Sequence, residues 1–163
     1  MTFFSGLEGG TGPCCVPGVP CTKIFSVMPQ LILSGGPVLL EKVGVQSGEI
    51  DLSLASAFGM IAFNRSGIYK IIWHGEARSL FNIPWSLGFS LDNTILLGRV
   101  YGDSGSHSLF EKFEGSVVLS INAGQILRFI NVSPYPVELI PESNDSQLLL
   151  PSFTLCLSLF ELH

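Results

Sequence analysis

One short segment of the chain carries residues of the types that nucleophilic catalysis uses. It reads Gly102-Asp103-Ser104-Gly105, and His107 follows two positions later. A serine becomes a nucleophile only when a histidine accepts its proton and a carboxylate orients that histidine, and these groups come from distant segments. Asp, Ser and Gly also form ordinary loops. We therefore predict a turn with no catalytic role here, and no enzymatic activity.

The four cysteines are a second set of residues with chemistry of their own. Cys14, Cys15 and Cys21 lie close together, and Cys156 lies in the last apolar stretch. Adjacent side chains of an extended segment point to opposite sides, so Cys14 and Cys15 should reach different partners. We take all four as candidates for disulfides between subunits, with a buried free thiol as the alternative for Cys156.

The spacing of possible ligands argues against a bound metal. A zinc site needs cysteine pairs or histidines near one another, and His74, His107 and His163 lie far from the cysteines in sequence. The acidic residues never form the Asp-rich loop of a calcium site. A calcium site shared between subunits stays open, because it would leave no local signature. We predict no metal and no cofactor.

Composition indicates one domain that associates with its own copies. The chain has 163 residues, of which 47% are hydrophobic and only 13% are charged. Globular proteins usually carry about twice that fraction of charged residues. Some apolar surface is therefore expected to meet another subunit. The net charge of -5 and the eight scattered lysines and arginines argue against nucleic acid as a partner.

The N-terminus predicts neither export by the general secretory route nor a membrane span. Residues 1–8 lack the basic and long apolar regions of a secretory signal. No apolar run approaches the ~20 residues that cross a bilayer. The densest run, over residues 148–160, is broken by Pro151. We expect no membrane partner.

Residues 1–22 are predicted to form a connector that precedes the domain. Gly and Pro cluster between residues 9 and 20, a composition that prevents helix and favours an extended arm. Phe3, Phe4 and Leu7 lie at the far end of this arm. An apolar cluster on an arm needs a receiving surface. We predict that these three residues dock on another subunit, with folding back onto their own domain as the alternative.

Residues 23–163 are predicted to form an all-β domain. Turn-forming residues recur at short intervals, and the apolar residues show no helical spacing. Strands are predicted at residues 30–33, 38–43, 58–63, 67–74, 85–91, 94–100, 116–121, 126–132, 136–140 and 152–162. Strict alternation in several of these strands indicates one buried face and antiparallel pairing, with a tight turn at Asp92-Asn93.

Two of the predicted strands, residues 67–74 and 152–162, contain stretches that are apolar on nearly both faces. Such a strand suits burial in its own domain on one side and against a neighbouring subunit on the other. We therefore predict a subunit interface that includes these strands. Its candidate residues are Tyr69, Ile71, Trp73, Leu157, Leu159 and Phe160.

Four segments, in this order, resemble the C1q/TNF-like family of domains. Residues 66–71 contain a Gly-Ile-Tyr strand, and residues 86–93 resemble the hairpin that follows it in the family. Residues 115–133 resemble a hairpin with an Ala-Gly-Gln turn, and residues 151–159 resemble the terminal strand. The resemblance covers residues 24–163. It implies a jelly-roll β-sandwich that forms homotrimers.

Within that family the chain is most similar to spore-surface proteins of spore-forming bacteria, although it has no collagen-like Gly-X-Y repeat. Its arm resembles the connector of endospore appendage subunits, in which an apolar residue precedes a Cys-Cys pair and a further Cys, as Leu7, Cys14, Cys15 and Cys21 do. The resemblance implies a structural subunit of an appendage fibre or exosporium layer at the spore surface. Its implied partners are its own copies, joined head to tail through the arm, and other spore-surface proteins.

A binding module is the main alternative function. A C1q-like trimer could recognise a carbohydrate or a protein through loops near residues 81–85 and 102–108. Trp73, Phe81 and Trp85 could form a platform on which a sugar stacks, although packing in a core or interface is the commoner role of aromatic residues. An enzyme of the cupin type would need a cluster of histidines, and this chain has only scattered ones.

Overall fold

The structure, a computed structural model, describes residue 15 and residues 17–79, 85–101, 111–140 and 151–162. Nearly all regular structure in these residues is β, with a single four-residue helix, α1 Ala55–Phe58. The strands are β1 Cys21–Ser26, β2 Gln30–Ile32, β3 Lys42–Val45, β4 Ile50–Asp51, β5 Ile61–Phe63, β6 Gly67–Ser79, β7 Leu87–Leu91, β8 Thr94–Tyr101, β9 Glu111–Ile121, β10 Ile126–Asn131, β11 Val137–Leu139 and β12 Phe153–Leu162.

The strands form two antiparallel sheets. The first sheet has the order β9-β6-β12-β1-β3, and β11 pairs with the end of β6 on the same edge as β12. β2 pairs in turn with β11. The second sheet has the order β4-β5-β10-β7-β8. The predicted all-β sandwich is therefore confirmed.

Alternate side chains of the central strand β6 fill the space between the sheets. Tyr69, Ile71 and Trp73 are at most 1% exposed. The indole of Trp73 meets Phe89 and Phe129 of the second sheet, with ring centroids 5.1 and 6.0 Å away. Aromatic rings at these distances attract one another beyond the gain from burial alone. The two sheets are thus joined through one aromatic cluster.

The hairpin between β7 and β8 turns at the predicted residues. Asp92 and Asn93 have φ angles of 50° and 67°, and a two-residue turn with positive φ at both positions matches the twist of the strands beside it. The Asp92 carboxylate also accepts hydrogen bonds from the backbone N–H of Ile126 at 2.9 Å and from Nε2 of Gln125 at 3.1 Å. The turn is therefore tied to the start of β10.

Two predicted strands are largely replaced by other structure. Most of residues 38–43 is irregular chain, and β3 begins only at Lys42. Val38 and Leu40 are nevertheless buried, because the N–H of Val38 donates to the carbonyl of Phe129 at 2.8 Å and holds this segment against β10. An apolar run has the same pattern whether a strand or irregular chain buries it. Residues 58–63 begin with the end of α1 in place of a strand.

The first strand lies partly inside the predicted connector. β1 begins at Cys21, so Cys21 and Thr22 belong to the sandwich and pair with β12. Its alternation is short and follows a Pro-rich segment, which hid it in the sequence. The two-residue strand β4 is also absent from the prediction. The other predicted strands are present, with ends that differ by up to five residues.

Gly115 leaves space for the indole of Trp73, and a methyl group added there should destabilise the fold. A Cβ atom on Gly115 would lie 2.8 Å from Cε2 of Trp73, and Trp73 is fully buried. We expect Gly115→Ala to lower the free energy of unfolding by about 1–3 kcal/mol, the usual cost of overpacking a core. Urea denaturation followed by tryptophan fluorescence measures it.

The control for this substitution is Gly48→Ala, because no atom lies within 4 Å of the added Cβ. We expect the control to keep the wild-type unfolding midpoint. A wild-type midpoint for Gly115→Ala would contradict the tight packing of Trp73 on β9.

Candidate functional site

The outer face of the first sheet is the side that points away from the second sheet. On β6 it is formed by the residues that alternate with the core positions, among them Lys70 and Ile72. By register Lys70 stands opposite Val118 of β9. Phe160 lies at a bulge in the pairing of β12 with β6. We define the outer face by these four residues.

Two apolar side chains of the outer face remain open to solvent. Val118 is 57% exposed and Phe160 is 54% exposed. Val118 pairs with Lys70 on one edge of β6, and Phe160 lies beside Ile68 and Tyr69 on the other edge. The two side chains therefore flank the same short segment of β6. A surface of this kind can be covered by another protein chain.

The structure corrects most of the predicted subunit interface. Phe160 is the one predicted interface residue that it leaves exposed. Side chains alternate along a strand, so a prediction that selects the wrong alternate set selects the wrong face. The residues that face outward are instead their neighbours in sequence. The five predicted residues that lie in the core of their own domain are Tyr69, Ile71, Trp73, Leu157 and Leu159.

The hydroxyl of the buried Tyr69 side chain has a hydrogen-bond partner within the fold. Its hydroxyl donates a hydrogen bond to the backbone carbonyl of Arg65 at 2.6 Å, and its ring packs edge-on against Phe63 at 4.7 Å. Burial raises the pKa of Tyr69 above its ordinary value; the nearby charge of Glu49 also raises it, and that of Arg65 lowers it. The neutral hydroxyl is therefore the form that the fold favours.

The cysteines form bonds that the sequence did not specify. Cys15 and Cys21 are joined within one chain, with their Cα atoms 5.6 Å apart. This corrects the prediction that these two residues link different subunits. Cys156 is disulfide-bonded too. Cys14 lies outside the described residues. The Cys15–Cys21 bond fixes the base of the arm to the first residue of β1.

A second apolar surface is a groove beside β2, with a volume of about 450 Å³. Leu31, Leu33 and Phe58 in it are 56%, 62% and 54% exposed. Sequence patterns do not predict this groove, because its residues come from β2, irregular chain, a single helical turn and β10. We define the groove by six lining residues: Leu31, Leu33, Pro37, Phe58, Met60 and Arg128.

Polar contacts hold the walls of the groove. The side-chain amide of Gln30 bonds both backbone groups of Leu39: Nε2 donates to the carbonyl at 2.7 Å, and Oε1 accepts from the N–H at 2.9 Å. On the other wall α1 ends at Gly59, whose φ of 66° favours glycine. The N–H of Gly59 donates a hydrogen bond to the backbone carbonyl of Ala55 at 3.0 Å. A glycine straight after Phe58 is the sequence signal that could have predicted this wall.

Several predicted residues lie outside the part of the chain that the structure describes. These are Phe3, Phe4 and Leu7 of the arm, and the segment 102–108 with its Gly-Asp-Ser-Gly motif. Of the possible sugar platform, Phe81 is outside as well.

The two tryptophans of that platform are not available to stack on a sugar. Trp73 is fully buried and Trp85 is 3% exposed. The Trp85 ring packs against Phe113 with centroids 5.5 Å apart. Packing is therefore the role of both side chains in this fold.

The described residues bring together no metal-binding cluster. No three His, Cys, Asp or Glu side chains among them could hold an ion. His74, one of the scattered histidines, lies on β6 next to Thr154 of β12 and Glu114 of β9. In the same part of the chain, no helix is long and apolar enough to cross a membrane.

Breaking the Cys15–Cys21 bond should leave every chain with one extra thiol. We expect Cys15→Ser to make Cys21 reactive toward a maleimide and to lower the free energy of unfolding by about 2 kcal/mol, the entropic value of so short a loop. Thiol counting in denaturant without reductant, together with urea denaturation, tests this. Cys21→Ser should behave alike. Covalent dimers that vanish in Cys15→Ser would show that the bond joins subunits instead.

Replacing Tyr69 by Phe should weaken the fold in a pH-dependent way. The lost hydrogen bond costs about 1 kcal/mol. A raised pKa means that the folded state holds the proton more tightly, so this contribution is complete below the ordinary pKa of 10.0 and is lost above it. We expect the stability gap between wild type and Tyr69→Phe to narrow as the pH of urea denaturation passes 10.0. The same stability gap at all pH values would contradict the raised pKa of Tyr69. The control is Tyr135→Phe, because Tyr135 is exposed.

Comparison with known proteins identifies the fold. No family model and no curated protein sequence matches the chain. Among solved structures, the globular domain of zebrafish complement 1qA protein is similar at a TM-score of 0.58 and 13% identity, over 86% of this chain and 95% of that one. The structure of Eiger TNF from S. frugiperda is similar at a TM-score of 0.60 and 12% identity, over 87% and 92%. The chain therefore has the C1q/TNF-like jelly-roll fold.

Proposed function

We propose that the protein is a non-catalytic structural subunit that associates with its own copies at the surface of a bacterial spore. One observation carries the self-association: Val118 and Phe160 are more than half exposed and flank the same segment of β6. Covering them would remove apolar side chains from water, which is the main driving force for association between proteins. The low charge of the chain supports the same conclusion, because only 13% of its residues are charged.

The outer face lies on three paired strands, β9, β6 and β12. Its strands are continuous, since β6 pairs along most of its length with β9 on one edge and β12 on the other. Lys70 lies between the two exposed apolar residues and is only partly exposed. A lysine stem can lie along an apolar surface while its charge stays in water. We propose three subunits per oligomer because the sequence resembles the C1q/TNF-like family.

The spore-surface location rests on the sequence of the arm and on its resemblance to spore-surface proteins. The bonded state of Cys15, Cys21 and Cys156 suits an oxidising environment outside the cell. In this proposal the trimers are joined head to tail through the arm. A contact between two different surfaces repeats from copy to copy, and it builds a fibre or layer unless it closes into a ring.

Charges placed on the outer face should separate the subunits. We expect Val118→Glu and Phe160→Glu each to weaken the oligomer about tenfold or more, and the double variant to be monomeric, because a carboxylate would have to be buried in the contact. Light scattering on a sizing column measures the mass. Ile95→Glu is the matched control, since Ile95 is 40% exposed on the hairpin of the second sheet.

A double variant that keeps the wild-type mass would exclude the outer face as the interface. A wild-type protein that is monomeric at all accessible concentrations would refute the proposed self-association altogether.

A further inference from the structure

We propose that the groove beside β2 receives the apolar end of the arm, residues 3–8, of another copy of the chain. This inference rests on the proposed function and names the surface that would receive the arm. The groove and the outer face are separate surfaces: the groove lies between β2 and α1, and the outer face lies along β6, β9 and β12.

The groove is open and apolar, and it holds a single charge. Of the residues that line it, only Arg128 is ionised. The exposed side chains of Leu31, Leu33 and Phe58 stand around a volume of about 450 Å³, which is within the range of pockets that enclose small ligands. An occupant should therefore present several apolar side chains and one negative charge.

The arm has that composition. Phe3, Phe4 and Leu7 are apolar, and Glu8 follows them directly. The guanidinium of Arg128 is held in place by a hydrogen bond from Nη2 to Oδ1 of Asn93 at 2.5 Å. A carboxylate that meets a fixed guanidinium forms a charge-assisted contact stronger than a neutral hydrogen bond. The arm thus supplies both the apolar side chains and the negative charge that an occupant of the groove needs.

The base of the arm and the groove lie at opposite ends of the first sheet. Cys21 pairs with Ser158, which pairs with Lys70 of β6. At the other end Ile32, which lies between the groove residues Leu31 and Leu33, pairs with Val137, which pairs with Ser79 of β6. Lys70 and Ser79 are nine positions apart on one strand, a distance of about 30 Å.

This separation places the groove of the same chain at or beyond the reach of Leu7 and Glu8, the end of the apolar segment that lies nearest the base of the arm. Cys15 is fixed to Cys21, and Leu7 precedes Cys15 by eight residues. A fully extended chain of that length spans at most about 29 Å, and the glycines and Pro13 between them favour bends. When two copies are stacked end to end, the base of one arm lies near the groove of the other. The contact is then head to tail and repeats along the stack.

Substitutions in the groove of the full-length chain test the inference. We expect Leu33→Glu and Phe58→Glu to raise the concentration at which oligomers assemble end to end by about tenfold or more, while the mass of the single oligomer stays unchanged. Sedimentation velocity and negative-stain electron microscopy measure the two properties. Ile95→Glu, an exposed apolar residue outside the groove, should assemble as the wild type does.

Exchanging the two charges tests the contact of Glu8 with Arg128, because it predicts a recovery of assembly as well as a loss. Arg128→Glu and Glu8→Arg should each weaken assembly, because each places two like charges together. The double variant should recover at least half of the lost assembly, since opposite charges then meet again in reversed order. Damage to the fold would not be repaired by a second substitution in the arm.

The outcomes separate this inference from the proposed function. If Phe3→Ser with Phe4→Ser abolishes end-to-end assembly while Leu33→Glu and Phe58→Glu leave it unchanged, the arm docks elsewhere and the groove assignment is wrong. Failure of the charge exchange to restore assembly overturns the contact of Glu8 with Arg128. A wild-type chain that forms discrete oligomers and never stacks overturns the inference, while self-association through the outer face stands.

Discussion

The packing of Trp73 between the sheets is the contact on which the other surfaces depend. Its indole is fully buried, meets Phe89 and Phe129 of the second sheet, and occupies the space that Gly115 leaves on β9. This fixes which side of the central strand β6 points inward. Because side chains alternate along a strand, it also fixes which residues point outward. The outer face with Val118 therefore follows from the position of one core side chain.

The sequence predicted the sandwich best where one face of a strand is wholly apolar and the other is not. Residues 87–91 and 117–121 have such a face at every second position, and both segments are strands with the expected core residues. In residues 69–73 and 155–160 all but one position of each segment is apolar, so the prediction took both faces as apolar and did not decide which set of side chains faces the core. That choice depends on contacts between distant segments, such as Trp73 with Phe129. The predicted interface consequently selected core residues, with Phe160 as the exception.

The groove could not be predicted from alternation, because most of its lining lies on the three-residue strand β2, in irregular chain and on one helical turn. Val38 and Leu40 are buried in irregular chain, and such chain is stable only when its backbone polar groups find partners. Gln30 supplies two of these partners to Leu39 on one wall of the groove. The contact joins residues nine positions apart through a side chain, and local sequence carries no pattern for it. The arm stays a prediction from composition, because residues 1–14 lie outside the described part of the chain.

The two proposed contacts, one through the outer face and one from arm to groove, would relate the subunits by different symmetry. This difference would determine how the proposed assembly grows. A contact made side by side through the outer face can close into a ring, whereas a contact from arm to groove joins opposite ends and need not close. The Cys15–Cys21 bond lies within one chain, so it adds no covalent link between copies. In the proposed assembly this bond would shorten the free arm and fix its starting point, and so would raise the effective concentration of the apolar end near a stacked neighbour. Strength along the stack would then come from several arms acting together, because each oligomer presents as many arms as it has subunits.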